Sequence, residues 1–168
     1  MLENAKDQNE RKVLLAGKVE DMINTVIRQI AFYDFECKLH EARKAGELTP
    51  DDINALWMSV QGESLGPAFE FMDGYETFWA YIPHFVHSPF YVYAYAFGDG
   101  LVNALYAVYE AAPDGFQEKY FDMLKAGGSQ HHKDLLAPFG LDASDPTFWQ
   151  QGLSMISSMI DELEAMET

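Results

Sequence analysis

An all-α fold is what this sequence predicts, a helical bundle of about five to seven helices. Apolar residues recur at three- and four-residue steps over long stretches, as one face of a helix requires. Capping residues and prolines stand where those stretches begin, and no run alternates apolar with polar as a half-buried strand would. The chain has 168 residues, 48% of them hydrophobic, which is enough for a real core. It shows no repeat, low-complexity linker or domain boundary, so residues 1–168 read as a single domain.

From Asn9 to Lys44 the pattern is that of one long helix. Leu15, Val19, Met22, Ile23, Val26, Ile30 and Phe35 form its core-facing stripe, while Lys18, Glu20, Asp21 and Arg28 occupy much of the other side. Gly46 closes it. Thr49-Pro50-Asp51-Asp52 opens the next helix with a cap, a proline suited to the first turn, and two carboxylates at the positive end of the dipole. Ile53, Leu56, Trp57 and Val60 give that helix its apolar face. Gly62 to Gly74 reads as loop, followed by a short helix near Tyr75 to Tyr81. A third major helix is expected over Phe90 to Glu110, with Pro89 in its first turn. Pro113-Asp114-Gly115 ends it, and Phe116 to Lys125 forms another with Phe116, Tyr120, Phe121 and Leu124 inward. A turn at Gly127-Gly128-Ser129 and a short helix at His132 to Pro138 precede the last helix. That one starts at Asp145-Pro146 and carries Phe148, Trp149, Leu153, Ile156, Ile160 and Leu163 toward a core.

The net charge of −16 disfavours nucleic acid and anionic membrane surfaces, whose phosphates it would repel. The most apolar run, Phe90 to Ala112, is interrupted by Asp99 and Asn103, so no membrane span is expected. One cysteine, Cys37, excludes an internal disulfide and reads as an inert thiol among apolar neighbours. Met1 to Arg11 is polar and mixed in charge, unlike an export leader. A cytoplasmic setting fits this cysteine economy.

The tract from Tyr81 to Gly98 concentrates chemistry. It holds two histidines, two prolines and four tyrosines in eighteen residues. Buried hydroxyls and imidazoles each need a hydrogen-bond partner, so a purely structural segment would seldom be built this way. His84 and His87 on a loop, joined to Tyr91, Tyr93 and Tyr95, suit the wall of a polar cleft. The plainer alternative is that the tyrosines pack their rings inward and leave only hydroxyls at a rim.

Ile82-Pro83-His84-Phe85 through Pro89-Phe90-Tyr91-Val92-Tyr93-Ala94-Tyr95 resembles the Pro-His-Phe…Phe-Tyr-Val-Tyr-x-Tyr signature of the oligoendopeptidase F family. These are helical zinc metallopeptidases related to thimet oligopeptidase. The likeness extends to Gly46-Glu47-Leu48-Thr49, Ala126-Gly127-Gly128-Ser129, Leu135 to Asp142, and Asp145-Pro146-Thr147-Phe148-Trp149, in the family's order near its C-terminus. The resemblance implies a C-terminal portion of a larger helical metallopeptidase catalytic domain. It implies oligopeptide substrates, with His84 and the tyrosines on the substrate side. His84, Tyr91 and Tyr93 match motif positions, Tyr93 being the expected oxyanion donor. A phenol can donate there without changing net charge. Tyr95 lies two residues on, where a helix turns it to another side, and His87 is carried over weakly.

The family's zinc helix, His-Glu-x-x-His, is not here. His40-Glu41-Ala42-Arg43-Lys44 begins the pattern but places a cation without a lone pair where the second imidazole must be. Zinc is thus expected in the full-length family enzyme, on a missing N-terminal part, with none bound by this chain's own residues. The isolated chain is expected to be inactive and to self-associate as a homo-oligomer over the surface that part would cover. The alternative is a free-standing, non-catalytic helical module binding peptide or protein. His84 and His87 lack companions to complete a metal site of their own. Adjacent His131 and His132 point about a hundred degrees apart on a helix and rarely chelate one ion. Gly127-Gly128-Ser129 lacks the frame of a phosphate loop, and Met155, Met159 and Met166 read as filler or surface.

Overall fold

The computed structural model describes residues 5–166, leaving aside the side chain of Gln151. Positions 1–4, on which the leader expectation partly rests, lie outside them. The fold is all-α. The described residues form eight α-helices and three 3₁₀ turns, with no strand among them. The α-helices are α1 (Gln8–Thr25), α2 (Ile27–Ala45), α3 (Pro50–Leu65), α4 (His84–His87), α5 (Tyr93–Ala111), α6 (Phe116–Ala126), α7 (His132–Leu136) and α8 (Pro146–Ala165). No helix among the described residues is long and apolar enough to cross a membrane. The chain divides into two compact units, residues 22–97 and residues 1–21 with 98–168.

In the first unit α2 packs on α3. Thr49 caps α3 reciprocally: its hydroxyl accepts from the Asp52 amide at 3.2 Å, and the Asp52 carboxylate accepts from the Thr49 amide at 2.8 Å. The core joins Phe32 and Phe35 of α2 with Trp57 and Val60 of α3, all buried, and with buried Val92. The Trp57 indole N–H donates to the Tyr75 carbonyl at 3.0 Å, and the Trp79 indole N–H to Asn54 at 2.7 Å, so the 3₁₀ turn Tyr75–Tyr81 is tied to α3.

Three expectations change here. The long first helix is broken at Val26 (φ −101°, ψ −69°), although i→i−4 bonds continue from Val26 to Met22 and from Ile30 to Val26. Thr25, Val26 and Ile27 are consecutive β-branched residues that crowd the preceding turn. Beyond the break the buried stripe is Ala31, Phe32 and Phe35, and Ile30 is left 48% exposed. Secondly, α3 runs through Gly62 to Leu65. The stop comes at Gly66, whose φ of +69° suits glycine, rather than at a glycine the helix can absorb at modest cost. Thirdly, α5 starts at Tyr93 rather than Phe90, because Phe90 has φ +59° and cannot continue a right-handed helix.

In the second unit a smaller core joins Ala104, Leu136 and Phe148. Gly100 lets α5 approach α8 closely, since a Cβ there would lie 2.8 Å from the Trp149 ring. Asp145 caps α8 through the Thr147 amide at 2.9 Å, and Arg11 of α1 pairs with Glu162 of α8 at 2.6 Å. Phe116 packs edge-on to Phe139, but the expected inward stripe of α6 is otherwise open, with Phe121 57% and Leu124 54% exposed. On α8, Phe148 and Ile156 are buried while Leu153 and Ile160 are exposed. Periodicity marks a face as apolar; covering it requires a second element, which these faces lack within the unit.

Candidate functional site

The tract singled out in the sequence folds as two linked turns in the first unit. The first is the single-turn helix α4, where the His87 and Ser88 amides donate to the Pro83 and His84 carbonyls at 2.9 Å each. Phe85 points inward from it, its ring 5.2 Å from Phe35 and 5.7 Å from Phe32, which anchors the turn to the core. In the second turn the Tyr91 amide donates to the Ser88 carbonyl at 3.2 Å. Its corner is Phe90, the one non-glycine residue with positive φ among those described. Val92 is buried immediately after, leaving Tyr91 and Tyr93 on the exposed side.

His84, Tyr91 and Tyr95 come together. His84 Nε2 and the Tyr95 hydroxyl share a hydrogen bond of 3.0 Å, its direction set by the imidazole tautomer. The Tyr91 ring lies parallel to the imidazole (5° between planes, centroids 6.2 Å) and edge-on to Tyr95 at 5.7 Å. Tyr93 sits elsewhere, edge-on to Tyr33 of α2 at 5.6 Å, so the tyrosines do separate onto different sides as their spacing requires. His87 takes no part in the cluster. The rim reading of the tyrosines fits in part: each contacts other rings, yet all three remain exposed at 40% or more.

The resulting surface can donate and accept hydrogen bonds, and it offers flat rings against which a peptide plane or side chain can lie. Tyr33 adds a hydroxyl whose pKa is held above its ordinary value, first by a hydrogen bond with Cys37, then by electrostatic interaction with that side chain and by desolvation. Zinc does not fit the residues present. No three His, Cys, Asp or Glu side chains come together among the described residues, and His84 Nε2 is already engaged by Tyr95. His131 instead caps α7, its Nδ1 accepting from the Lys133 amide at 3.3 Å.

Two contributors escaped sequence reasoning. Glu36, fully buried on α2, accepts from the Phe90 amide at 2.8 Å, and the His40 ring lies 4.7 Å from the Phe90 ring. A signal existed for the first: Phe32, Phe35, Glu36 and Leu39 follow the i, i+3, i+4, i+7 pattern of a buried face, which points a carboxylate inward.

Comparison with known proteins adds to this geometry. The model of peptidase family M3 matches residues 1–155. The plasmid-encoded oligoendopeptidase F of Lactococcus lactis subsp. cremoris is 31% identical over 167 residues, covering 99% of this chain and 28% of that protein. Oligopeptidase PepF of Bacillus subtilis is 30% identical, covering 99% of this chain and 25% of that protein. The crystal structure of oligoendopeptidase-F from Enterococcus faecium superimposes with a TM-score of 0.87 at 27% identity, over 98% of this chain and 32% of that one. The chain thus spans between a quarter and a third of the length of these relatives.

Proposed function

Since the chain belongs to peptidase family M3, we propose that it is the substrate-binding, C-terminal part of a zinc-dependent oligoendopeptidase acting on oligopeptides in the cytoplasm. One observation carries the reading: His84, Tyr91 and Tyr95 form an exposed, mutually oriented polar and aromatic cluster within this chain. Tyr95 fixes the His84 imidazole, Tyr91 lies along it, and the two present a peptide with a hydrogen-bonding edge beside a flat face. Tyr93, exposed on the neighbouring side against Tyr33, serves as donor to the oxyanion that develops on the scissile carbonyl. His87 is an outlying contact. The metal and the general base belong to a part of the enzyme beyond these 168 residues, so the chain binds but does not cleave.

Two measurements on the purified chain test this. Titration with an oligopeptide should shift the NMR signals of His84, Tyr91 and Tyr95, and H84A should weaken binding about tenfold, the loss of one hydrogen bond and the packing around it. Unshifted signals at saturating peptide would sink the substrate-side role. A quenched oligopeptide should survive incubation with chain plus zinc; chelator-sensitive cleavage would overturn the inactivity.

The preformed cluster also supports a second reading, a free-standing helical module that binds peptide or protein without chemistry. Oligomeric state separates the two. A severed part should self-associate through exposed apolar side chains such as Phe121 and Leu124, whereas a compact monomer in light scattering favours the module.

A further inference from the structure

Glu36 is a fully buried carboxylate with an unusual task. One oxygen accepts from the Phe90 backbone amide at 2.8 Å; the other is buried without a hydrogen-bond partner. A side chain retained for stability alone would not leave half a carboxylate unsatisfied, since apolar atoms of similar volume serve a core better. The amide it holds belongs to the one described non-glycine residue with positive φ, a conformation a bulky L-residue adopts only when its surroundings impose it. Tyr33 and His40, three residues before and four after Glu36, lie on the same side of α2 and flank the Phe90 ring at 6.1 and 4.7 Å. One helix face therefore provides a seat: a carboxylate under the amide and two rings about the side chain.

We propose that Glu36 is a positioning residue whose buried carboxylate holds the left-handed turn at Phe90, and with it the register that brings Tyr91 and Tyr95 onto His84. If φ at Phe90 relaxed to a right-handed value, the chain would leave the turn in a different direction. Tyr91, the next residue, and Tyr95, one helical turn later, would then move off the imidazole. The consequence for peptide binding rests on the function proposed above; the geometric claim does not.

The test uses the isotopically labelled chain and the nuclear Overhauser signals between the His84 and Tyr95 rings. Glu36→Leu is the informative variant, because it fills the buried volume and should keep the helices intact by circular dichroism. Its His84–Tyr95 signals should disappear. Glu36→Gln, which keeps one acceptor oxygen without charge, should retain them in weakened form. Adding Phe90→Gly to Glu36→Leu should restore them, since glycine takes positive φ unaided. That rescue is what a merely structural role would not produce. Signals that persist in Glu36→Leu, or that Phe90→Gly fails to restore in the folded double variant, would overturn the proposal. Peptide titration of the same variants separates the two readings. If the His84 and Tyr95 rings part and peptide still binds as before, the cluster has no substrate-side role, while the positioning role of Glu36 stands.

Discussion

The unit of residues 22–97 closes around Trp57, with the rings of Phe35, Phe32 and Phe85 at 5.2, 5.5 and 6.4 Å from it. The other unit gathers a smaller core around Ala104, Leu136 and Phe148, and leaves large apolar side chains on α6 and α8 in solvent. Both were written with the same kind of helical periodicity. The difference is that α2 and α3 each find a partner of matching face within their unit, whereas α6 packs Phe116 on Tyr109 and Phe139 and leaves Phe121 and Leu124 exposed. The histidine and tyrosine tract is fastened to the larger core cluster through Phe85 and Val92, which is where a site needing fixed geometry is best supported.

The contrast can be broken most forcefully at Trp57. Trp57→Ala should cost about 3–5 kcal/mol in denaturant unfolding, because it empties the centre of the aromatic core and orphans the Tyr75 carbonyl. A loss as small as that of a surface change would show that this core is not the organising one. Gly100→Ala probes the second unit at its tightest approach and should cost about 1–3 kcal/mol through the Trp149 ring. Thr49→Ala removes one side of the α3 capping box for about 1 kcal/mol, and a double variant with Gly100→Ala should be additive. Acid titration sharpens the comparison further, since Asp52 in one unit and Asp145 in the other are both held below the ordinary 3.8 by hydrogen bonds, from Thr49 and Thr147 respectively. Their ionised forms are favoured in the fold, so their contribution is complete above pH 3.8 and is lost as pH falls through the lower folded-state values. Asp52→Asn and Asp145→Asn should each remove that contribution above pH 3.8 and change little once the pH is below the window, so that the acid limb of stability flattens. At the bottom of the scale, Phe121→Ser with Leu124→Ser should alter monomer stability by no more than about 0.5 kcal/mol, as exposed positions do, while reducing any self-association seen by light scattering.

Much of this was legible in the sequence. Thr49-Pro50-Asp51-Asp52 and Asp145-Pro146 announce their helices because capping is a local interaction between residues a few positions apart. The grouping of chemistry between Tyr81 and Gly98 was visible from residue types alone. What escaped depends on distant partners. Nothing local to Phe90 says that its amide will meet a carboxylate from α2, so Pro89 looked like the first turn of a helix that begins later. The choice of Tyr95 rather than Tyr93 as the neighbour of His84 follows from that same turn. Apolar stripes on α6 and α8 revealed amphipathicity correctly, but not whether anything would cover them.

The bond from the Phe90 amide to Glu36 also has a consequence in time. It spans 54 positions of chain, and the corner it holds is one the residue does not favour by itself. The helices on either side can begin to coil within about a microsecond, because their hydrogen bonds are local. Closing a loop of that length comes only after α2 exists to receive it, and the entropy it costs is recovered only on arrival. The histidine and tyrosine surface is therefore expected to assemble late in refolding, after most of the helix content has formed. A chain emerging from synthesis would acquire its helices first and the shape of its contact surface last.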